Sequence, residues 1–192
     1  MTTERRRKTA ALLVLALAAG FAALSGTRPS AAEDASVDFA AKLDPPAARR
    51  GEVVVLELSA GIPSGYHLYS MTRIADGPLP LQVKVPEEVL VPAGPWRGPK
   101  PGVEHDESFD KHVEYYEGSA THRRAYRVAG PAPGGAVPIV VRGQICNPRQ
   151  CIPLKERIAV PLEVEPGEAR PDRAEPPELA GEVFDAERPP PS

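Results

Sequence analysis

Cys146 and Cys151 are the side chains in this sequence whose type and spacing most clearly support chemistry. They are the two cysteines of the chain, and four residues separate them. Two thiols at this spacing can alternate between a dithiol and a disulfide, and the thiolate is the form that attacks the disulfide of another protein. Three nearby basic residues, Arg142, Arg149 and Lys155, would favour a thiolate, although ordinary solvated side chains explain each of them equally well.

The cysteines must be positioned by the β-type segments on either side of them, which predict a hairpin. If Cys146 faces Cys151, apolar residues face each other along one side of it: Ile145 and Ile152, Ile139 and Ile158, and Val137 and Val160. The opposite side collects the cysteines together with three mixed pairs: Gln144 and Pro153, Arg142 and Lys155, and Val140 and Arg157. A half-buried hairpin requires one apolar face. This register therefore predicts both sulfurs on the wetter, accessible face.

A disulfide between Cys146 and Cys151 is feasible in that hairpin, because facing residues on antiparallel strands have Cα atoms about 4.5–5.5 Å apart. Closing so short a loop stabilises a fold by roughly 2 kcal/mol on the chain-entropy model, against about 4.7 kcal/mol for a hundred-residue loop. A short, exposed bridge is also easier to reduce. The sequence therefore favours redox exchange, and a binding or scaffold domain with a purely structural disulfide is the alternative.

The composition excludes several other classes of protein. The 192 residues include 24 Pro and 16 Gly, which argues against long helices, coiled coils and a polytopic membrane protein. The formal net charge is −3, so no basic excess exists to bind the phosphate backbone of a nucleic acid. The apolar fraction of 42% still suffices for one domain core.

Residues 1–32 have the pattern of a secretory signal peptide. A basic cluster at positions 5–8 precedes an uncharged apolar run from Thr9 to about Leu24, and small residues follow. The run is shorter than the roughly 20 residues that span a bilayer. We therefore expect an exported protein in the periplasm or another extracytoplasmic compartment, where disulfides persist, and a membrane-anchored protein if the signal is not cleaved.

The rest of the chain predicts one all-β domain between two less regular segments. Residues 33–46 are rich in Ala, Asp and Pro and predict a linker or an edge strand. Within residues 47–165, about seven short β-type runs alternate with Pro/Gly turns, which favours an antiparallel β-sandwich. Residues 166–192 combine Pro with acidic residues and have almost no bulky apolar side chains, so we expect a disordered tail.

Several segments resemble the amino-terminal periplasmic domain of the thiol:disulfide interchange protein DsbD family. The segment Cys146–Leu154 is similar to the paired-cysteine segment of that family, in which an apolar residue and Pro follow the second cysteine. Gly65–Ser70 resembles a Gly-aromatic-x-x-Tyr segment, Gly77–Pro80 a Gly-Pro turn, and His105–Phe109 an acidic stretch that ends in Phe. The resemblance covers about residues 35–165 and keeps these segments in the family's order.

The resemblance implies an immunoglobulin-like sandwich whose paired cysteines shuttle between dithiol and disulfide. It implies that Cys151 exchanges with partners and that Cys146 resolves the mixed disulfide. It also implies that Phe109 caps the sulfurs and moves aside for a partner. The remaining site residues that it implies, as lining residues or as a nearby carboxylate, are Tyr69, His67 and Glu107.

Two departures from the family pattern change what is expected of partners. Ser108 stands where an acidic residue often precedes the cap Phe, so we expect proton handling to differ. The family's full-length protein also has a membrane-embedded electron conduit and a Cys-x-x-Cys thioredoxin-like domain, neither of which we expect here. The resemblance therefore implies a thioredoxin-like or membrane redox protein that acts in trans on a monomer.

A metal site built from the four histidines and two cysteines is a third hypothesis. The sequence contains no Cys-x-x-Cys and no His-x(3–5)-His ligand pair, which are the usual signatures of such a site. We therefore expect neither a metal nor a small-molecule cofactor.

Overall fold

The computed structural model of this protein describes residues 35–185 and 188–191, and these residues form an all-β structure. The predicted signal peptide, residues 1–32, lies outside them. Two short 3₁₀ turns are the helical segments of the described part, so none of its helices is long and apolar enough to cross a membrane. The strands are β1 (Asp38–Asp44), β2 (Ala47–Arg49), β3 (Val53–Gly61), β4 (His67–Tyr69), β5 (Gln82–Lys84), β6 (Leu90–Pro92), β7 (Trp96–Gly98), β8 (Gly102–Asp106), β9 (Lys111–Tyr116), β10 (Ser119–Val128), β11 (Ala136–Asn147), β12 (Gln150–Pro161), β13 (Glu163–Glu165) and β14 (Glu182–Phe184).

Most of these strands belong to two six-stranded antiparallel sheets. The first sheet has the order β1-β3-β10-β7-β14, with β6 also paired to β10. The second, which we call the cysteine sheet, has the order β12-β11-β4-β9-β8, with β5 also paired to β11. A short parallel pair, β2 with β13, lies outside both sheets. The prediction of an immunoglobulin-like antiparallel β-sandwich is confirmed, and β1 is an edge strand inside the segment 33–46.

The core forms because the long strands alternate apolar and polar residues with the period of two that a half-buried sheet needs. The inward-facing residues of β3 and β11 are all at most 2% exposed: Val54, Leu56, Leu58 and Ala60, and Val137, Ile139, Val141 and Ile145. They belong to one apolar cluster, so the two sheets share a core. Burial of each large aliphatic side chain contributes about 1.5–3 kcal/mol.

The predicted hairpin register is confirmed along its whole length. β11 and β12 pair without a break from Ala136 opposite Pro161 to Asn147 opposite Gln150, and Cys146 is opposite Cys151. Because the side chains of a strand alternate between faces, this register sends Ile145 into the core and leaves Cys146 on the outer face of the cysteine sheet.

The expected disorder of residues 166–192 is not confirmed in the part of the tail that the structure describes. β14 pairs antiparallel with β7, and Phe184 at its end is buried at 3% exposure. Arginines hold the tail to buried carboxylates before and after this strand. They form the ion pairs Arg170 with Glu52 at 2.6 Å and Arg188 with Glu114 at 2.7 Å.

A few specific contacts order the tail, and its average composition does not predict them. β14 extends the edge of the first sheet, so its backbone gains hydrogen bonds that a disordered chain makes only with water. Gly181, just before it, has φ 115° and lies so close to β7 that a Cβ there would be 2.4 Å from the carbonyl oxygen of Gly98. Only glycine fits that approach.

Candidate functional site

The site is centred on the turn of the β11–β12 hairpin, where Cys146 and Cys151 form a disulfide with a Cα–Cα distance of 4.1 Å. The side-chain oxygen of Asn147 accepts hydrogen bonds from the backbone N–H groups of Arg149 and Gln150, at 2.8 and 2.9 Å. Asn favours such tight turns because its short side chain substitutes for a backbone acceptor. The sequence between the cysteines therefore holds them opposite each other.

The two cysteines differ in their access to solvent. Cys151 is exposed at the edge of the cysteine sheet, whereas Cys146 is 3% exposed. The prediction that both sulfurs are accessible is wrong for Cys146, because side chains from outside the hairpin cover its side of the sheet. Those side chains form a second, smaller apolar cluster with Cys146: Tyr69, Val113, Ile74, Phe109 and Tyr115.

Phe109 reaches this cluster from the turn between β8 and β9. Its ring meets the ring of Tyr69 edge to face, with centroids 6.2 Å apart. Asp106 holds the turn in place, because one of its carboxylate oxygens accepts the N–H of Ser108 at 2.8 Å. The other accepts the hydroxyl of Tyr69 at 2.5 Å. One carboxylate thus ties the Phe109 turn to β4.

Tyr69 is a buried neutral phenol. Burial raises its pKa well above the ordinary value, and the hydrogen bond and charge of Asp106, with the charge of Glu104, raise it further. The phenol therefore stays protonated across the physiological range and keeps donating to Asp106. Its place in the site is set by β4, where Tyr69 pairs with Tyr115 of β9.

His67 lies directly beside the disulfide, since it is the cross-strand partner of Cys146 on β4. Its ring packs against the rings of Tyr69 and Tyr115, with centroids 5.0 and 5.3 Å away. Its Nδ1 is 3.9 Å from a carboxylate oxygen of Glu104 on β8. The strands therefore bring an imidazole, a carboxylate and the covered sulfur to one face.

The structure brings together Cys146, Cys151, Phe109, Tyr69 and His67, and it places Glu107 differently. Glu107 is exposed in the β8–β9 turn, and the carboxylate that contacts the site residues is its neighbour Asp106. The basic residues near the cysteines are also exposed, where solvent weakens their effect on a thiolate: Arg142, Arg149 and Lys155. Within residues 35–185 and 188–191, no three His, Cys, Asp or Glu side chains are grouped to hold a metal ion.

Gln144 is a site residue that sequence reasoning did not single out. Its side-chain N–H₂ donates to the Sγ of Cys146 at 3.3 Å, and its carbonyl oxygen accepts the N–H of Leu79 at 3.3 Å. The hairpin register placed Gln144 on the cysteine face, which is the signal that could have identified it. Glu104 and Tyr115 carried no such signal, because their contact with the site depends on the pairing of β8, β9 and β4.

Comparison with known proteins finds one family model, described as thiol:disulfide interchange protein DsbD, N-terminal, which matches residues 36–163. No curated protein matches the chain. Among solved structures, the N-terminal periplasmic domain of ScsB from Proteus mirabilis is 15% identical with a TM-score of 0.49, and the match covers 71% of this chain. It covers 48% of the ScsB chain, so this chain spans about half of that length.

Two further matches are to Neisseria meningitidis structures. The DsbD N-terminal domain in the reduced form is 20% identical with a TM-score of 0.41, and the match covers 65% of this chain and 86% of that one. The complex between the DsbD N-terminal and PilB N-terminal domains matches at 21% identity with a TM-score of 0.37, over 63% of this chain and 80% of that one.

Proposed function

The chain belongs to the family of N-terminal domains of the thiol:disulfide interchange protein DsbD, and on that premise we propose that Cys146 and Cys151 exchange electrons with the disulfides and dithiols of partner proteins. The observation that carries the proposal is the unequal access of the two bonded sulfurs. Cys151 is exposed to a partner, and Cys146 lies covered beside it. A partner thiol can therefore reach one sulfur while the other stays covered.

The proposed exchange proceeds through a mixed disulfide. In the reduced protein, the thiolate of Cys151 attacks the disulfide of a partner, a bond forms between Cys151 and one partner sulfur, and the other partner sulfur leaves as a thiolate. Cys146 then attacks Cys151, which restores the Cys146–Cys151 disulfide and releases the second partner sulfur. The domain loses two electrons and the partner gains them. The same steps in reverse reload the domain from a dithiol donor.

We assign the cap to Phe109, because its turn packs over the cluster that covers Cys146. Tyr69 supports the proposal, since its hydrogen bond to Asp106 fixes the base of that turn. Displacement of Phe109 would expose Cys146 only when a partner docks. This would limit direct attack of small oxidants on Cys146 in the meantime.

The proposed partner is a thioredoxin-like protein or a membrane redox protein that acts in trans on a monomer. The family match supports this, and one matching structure is a complex of a DsbD N-terminal domain with a PilB N-terminal domain. We propose that residues 1–32 direct export and that exchange takes place in the periplasm or another extracytoplasmic compartment. The exchange domain would span residues 47–165, with 33–46 as its edge segment.

Single-cysteine variants test the exchange role. Each of Cys146→Ser and Cys151→Ser is activated with 5,5′-dithiobis(2-nitrobenzoic acid) and then mixed with a thioredoxin that retains one active-site cysteine. We expect Cys146→Ser, with its exposed Cys151, to form the disulfide-linked complex at least tenfold faster than Cys151→Ser. Equal rates, or no complex from Cys146→Ser, would overturn the proposal.

A further inference from the structure

Cys151, Cys146 and His67 lie side by side on three neighbouring strands of the cysteine sheet. Cys151 on β12 faces Cys146 on β11, and Cys146 faces His67 on β4. Side chains directly opposite on neighbouring antiparallel strands have Cβ atoms about 4.5–5.5 Å apart and point to the same face. The imidazole of His67 therefore lies next to the covered cysteine, on the side away from Cys151.

The two nitrogens of this imidazole have different surroundings. Nδ1 is 3.9 Å from the carboxylate of Glu104, whereas Nε2 is buried and has no hydrogen-bond partner among the described residues. A buried polar atom without a partner costs about 1–3 kcal/mol, and this one belongs to the residue paired with Cys146 across the strands. The disulfide carries no proton, but reduction gives Cys146 an S–H group that can donate to such a nitrogen.

The proposed exchange requires a proton acceptor at Cys146. A cysteine buried among apolar side chains is disfavoured as a thiolate, and Cys146 is covered by Tyr69, Val113 and Phe109. Cys146 must nevertheless become a thiolate to attack Cys151 in the mixed disulfide. Solvent cannot readily take this proton, because Cys146 is only 3% exposed.

Groups on the neighbouring strands define the electrostatic surroundings of His67. Glu104 on β8 faces Nδ1, and Asp106 on the same strand accepts the hydroxyl of Tyr69. Burial and the charge of Glu104 raise the pKa of Tyr115, as burial and Asp106 do for Tyr69, so both phenols that flank the ring stay neutral. One carboxylate, that of Glu104, and two neutral phenols thus contact the ring from these strands.

We propose that His67, oriented by Glu104, accepts the proton of Cys146 during resolution of the mixed disulfide. This inference rests on the proposed function. The S–H proton of Cys146 passes to Nε2, and the thiolate attacks Sγ of Cys151. The Cys146–Cys151 bond forms, the bond from Cys151 to the partner breaks, and the partner sulfur leaves with the electron pair and takes a proton from the imidazolium or from water. The imidazolium returns to neutral His67 by giving its proton to that sulfur or to solvent.

A two-phase reaction separates this role from the exchange itself. The reduced protein is mixed with one equivalent of 5,5′-dithiobis(2-nitrobenzoic acid) in a stopped-flow instrument. The first release of thionitrobenzoate reports attack by Cys151, and the second reports resolution by Cys146. We expect His67→Phe to slow the second phase at least tenfold at pH 7 and to leave the first within twofold. The same variant should show a weaker pH dependence of the second phase than the wild type, because its phenyl ring cannot accept a proton.

Three further variants keep the test independent of packing. His67→Gln retains a polar side chain that cannot act as a base, so it should also slow the second phase. Glu104→Gln, on the surface, should slow it less, by about threefold. His112→Phe, at an exposed position of β9, is the matched control and should leave both phases unchanged.

The outcomes are distinguishable from failure of the proposed function. A wild-type protein without a first phase would overturn exchange at Cys151, and this inference with it. A normal first phase with an unchanged second phase and pH profile in His67→Phe or His67→Gln would overturn only the role of His67. Equal slowing of both phases in these variants would also overturn it, because it would indicate general damage to the site.

Discussion

Phe109 and Asp106 illustrate how single side chains set the access to the disulfide. The aromatic ring of Phe109 is partly buried, and it packs against the cluster of Tyr69, Val113 and Cys146. That turn depends on one carboxylate, which binds both the backbone of Ser108 and the hydroxyl of Tyr69. Loss of the ring should therefore change reactivity more than stability.

Replacement of Phe109 by Ala should accelerate reduction of the disulfide by dithiothreitol by about threefold to tenfold. The ring is only partly buried, so removing it should lower the free energy of unfolding by roughly 1 kcal/mol, below the range for a fully buried Phe. Reduction followed by alkylation and mass spectrometry measures the rate. Phe39→Ala, another partly buried Phe on β1 of the other sheet, is the control, and an equal acceleration there would contradict the role of Phe109 as a cap.

At the scale of elements, the hairpin could be predicted from its sequence and the cover over it could not. Twelve consecutive pairs of β11 and β12 follow from the pairing of Cys146 with Cys151, because a shift by one residue would send the apolar face to solvent. The resemblance to a known family then located Phe109, Tyr69 and His67. Local patterns were sufficient wherever one strand or one hairpin decides the geometry.

The remaining parts of the site depend on contacts between elements that are distant in the sequence. Glu104 reaches His67 only because β8 pairs with β9 and β9 with β4. The burial of Cys146 likewise needs Ile74, from the loop after β4, and Phe109. β7 and β14 are three residues each, too short for an alternating pattern, so their pairing could not be inferred from composition.

At the scale of the whole molecule, arginines of the tail bind buried carboxylates at two separate places, Glu52 before β3 and Glu114 on β9. Glu52 is fully buried, and Arg170 satisfies both of its carboxylate oxygens at 2.6 and 2.7 Å. After β14, Arg188 reaches Glu114, which also accepts the hydroxyls of Ser70 and Thr72. Glu114 lies on β9, the strand that follows the Phe109 turn, so Arg188 links the tail to the strand next to that turn.

Acid should weaken this arrangement through Glu52. The hydrogen bonds and charge of Arg170 hold the pKa of Glu52 well below its ordinary value of 4.5, against the opposing effect of burial. A carboxylate whose pKa is lower in the folded state adds stability above its unfolded pKa and loses it as the pH falls below that value. We expect thermal unfolding midpoints to fall as the pH drops below about 4.5.

Arg170→Met tests this at neutral pH. It removes the guanidinium that neutralises a buried carboxylate, so the melting temperature should fall by roughly 5 °C or more, and part of the loss should return in Glu52→Gln/Arg170→Met. Arg157→Met, at an exposed position of β12, is the matched control and should change the melting temperature little. A melting temperature of Arg170→Met equal to that of the control would show that the tail does not stabilise the sandwich.

The reduction potential of the Cys146–Cys151 pair most directly tests whether the pair is redox-active or a purely structural disulfide. The oxidised protein is equilibrated in dithiothreitol and glutathione buffers of known potential, and the reduced fraction is counted by alkylation and mass spectrometry. An exchange domain should titrate between about −270 and −120 mV, the range of thioredoxin-like proteins. A midpoint below about −300 mV, typical of structural disulfides in secreted proteins, would contradict the proposed function.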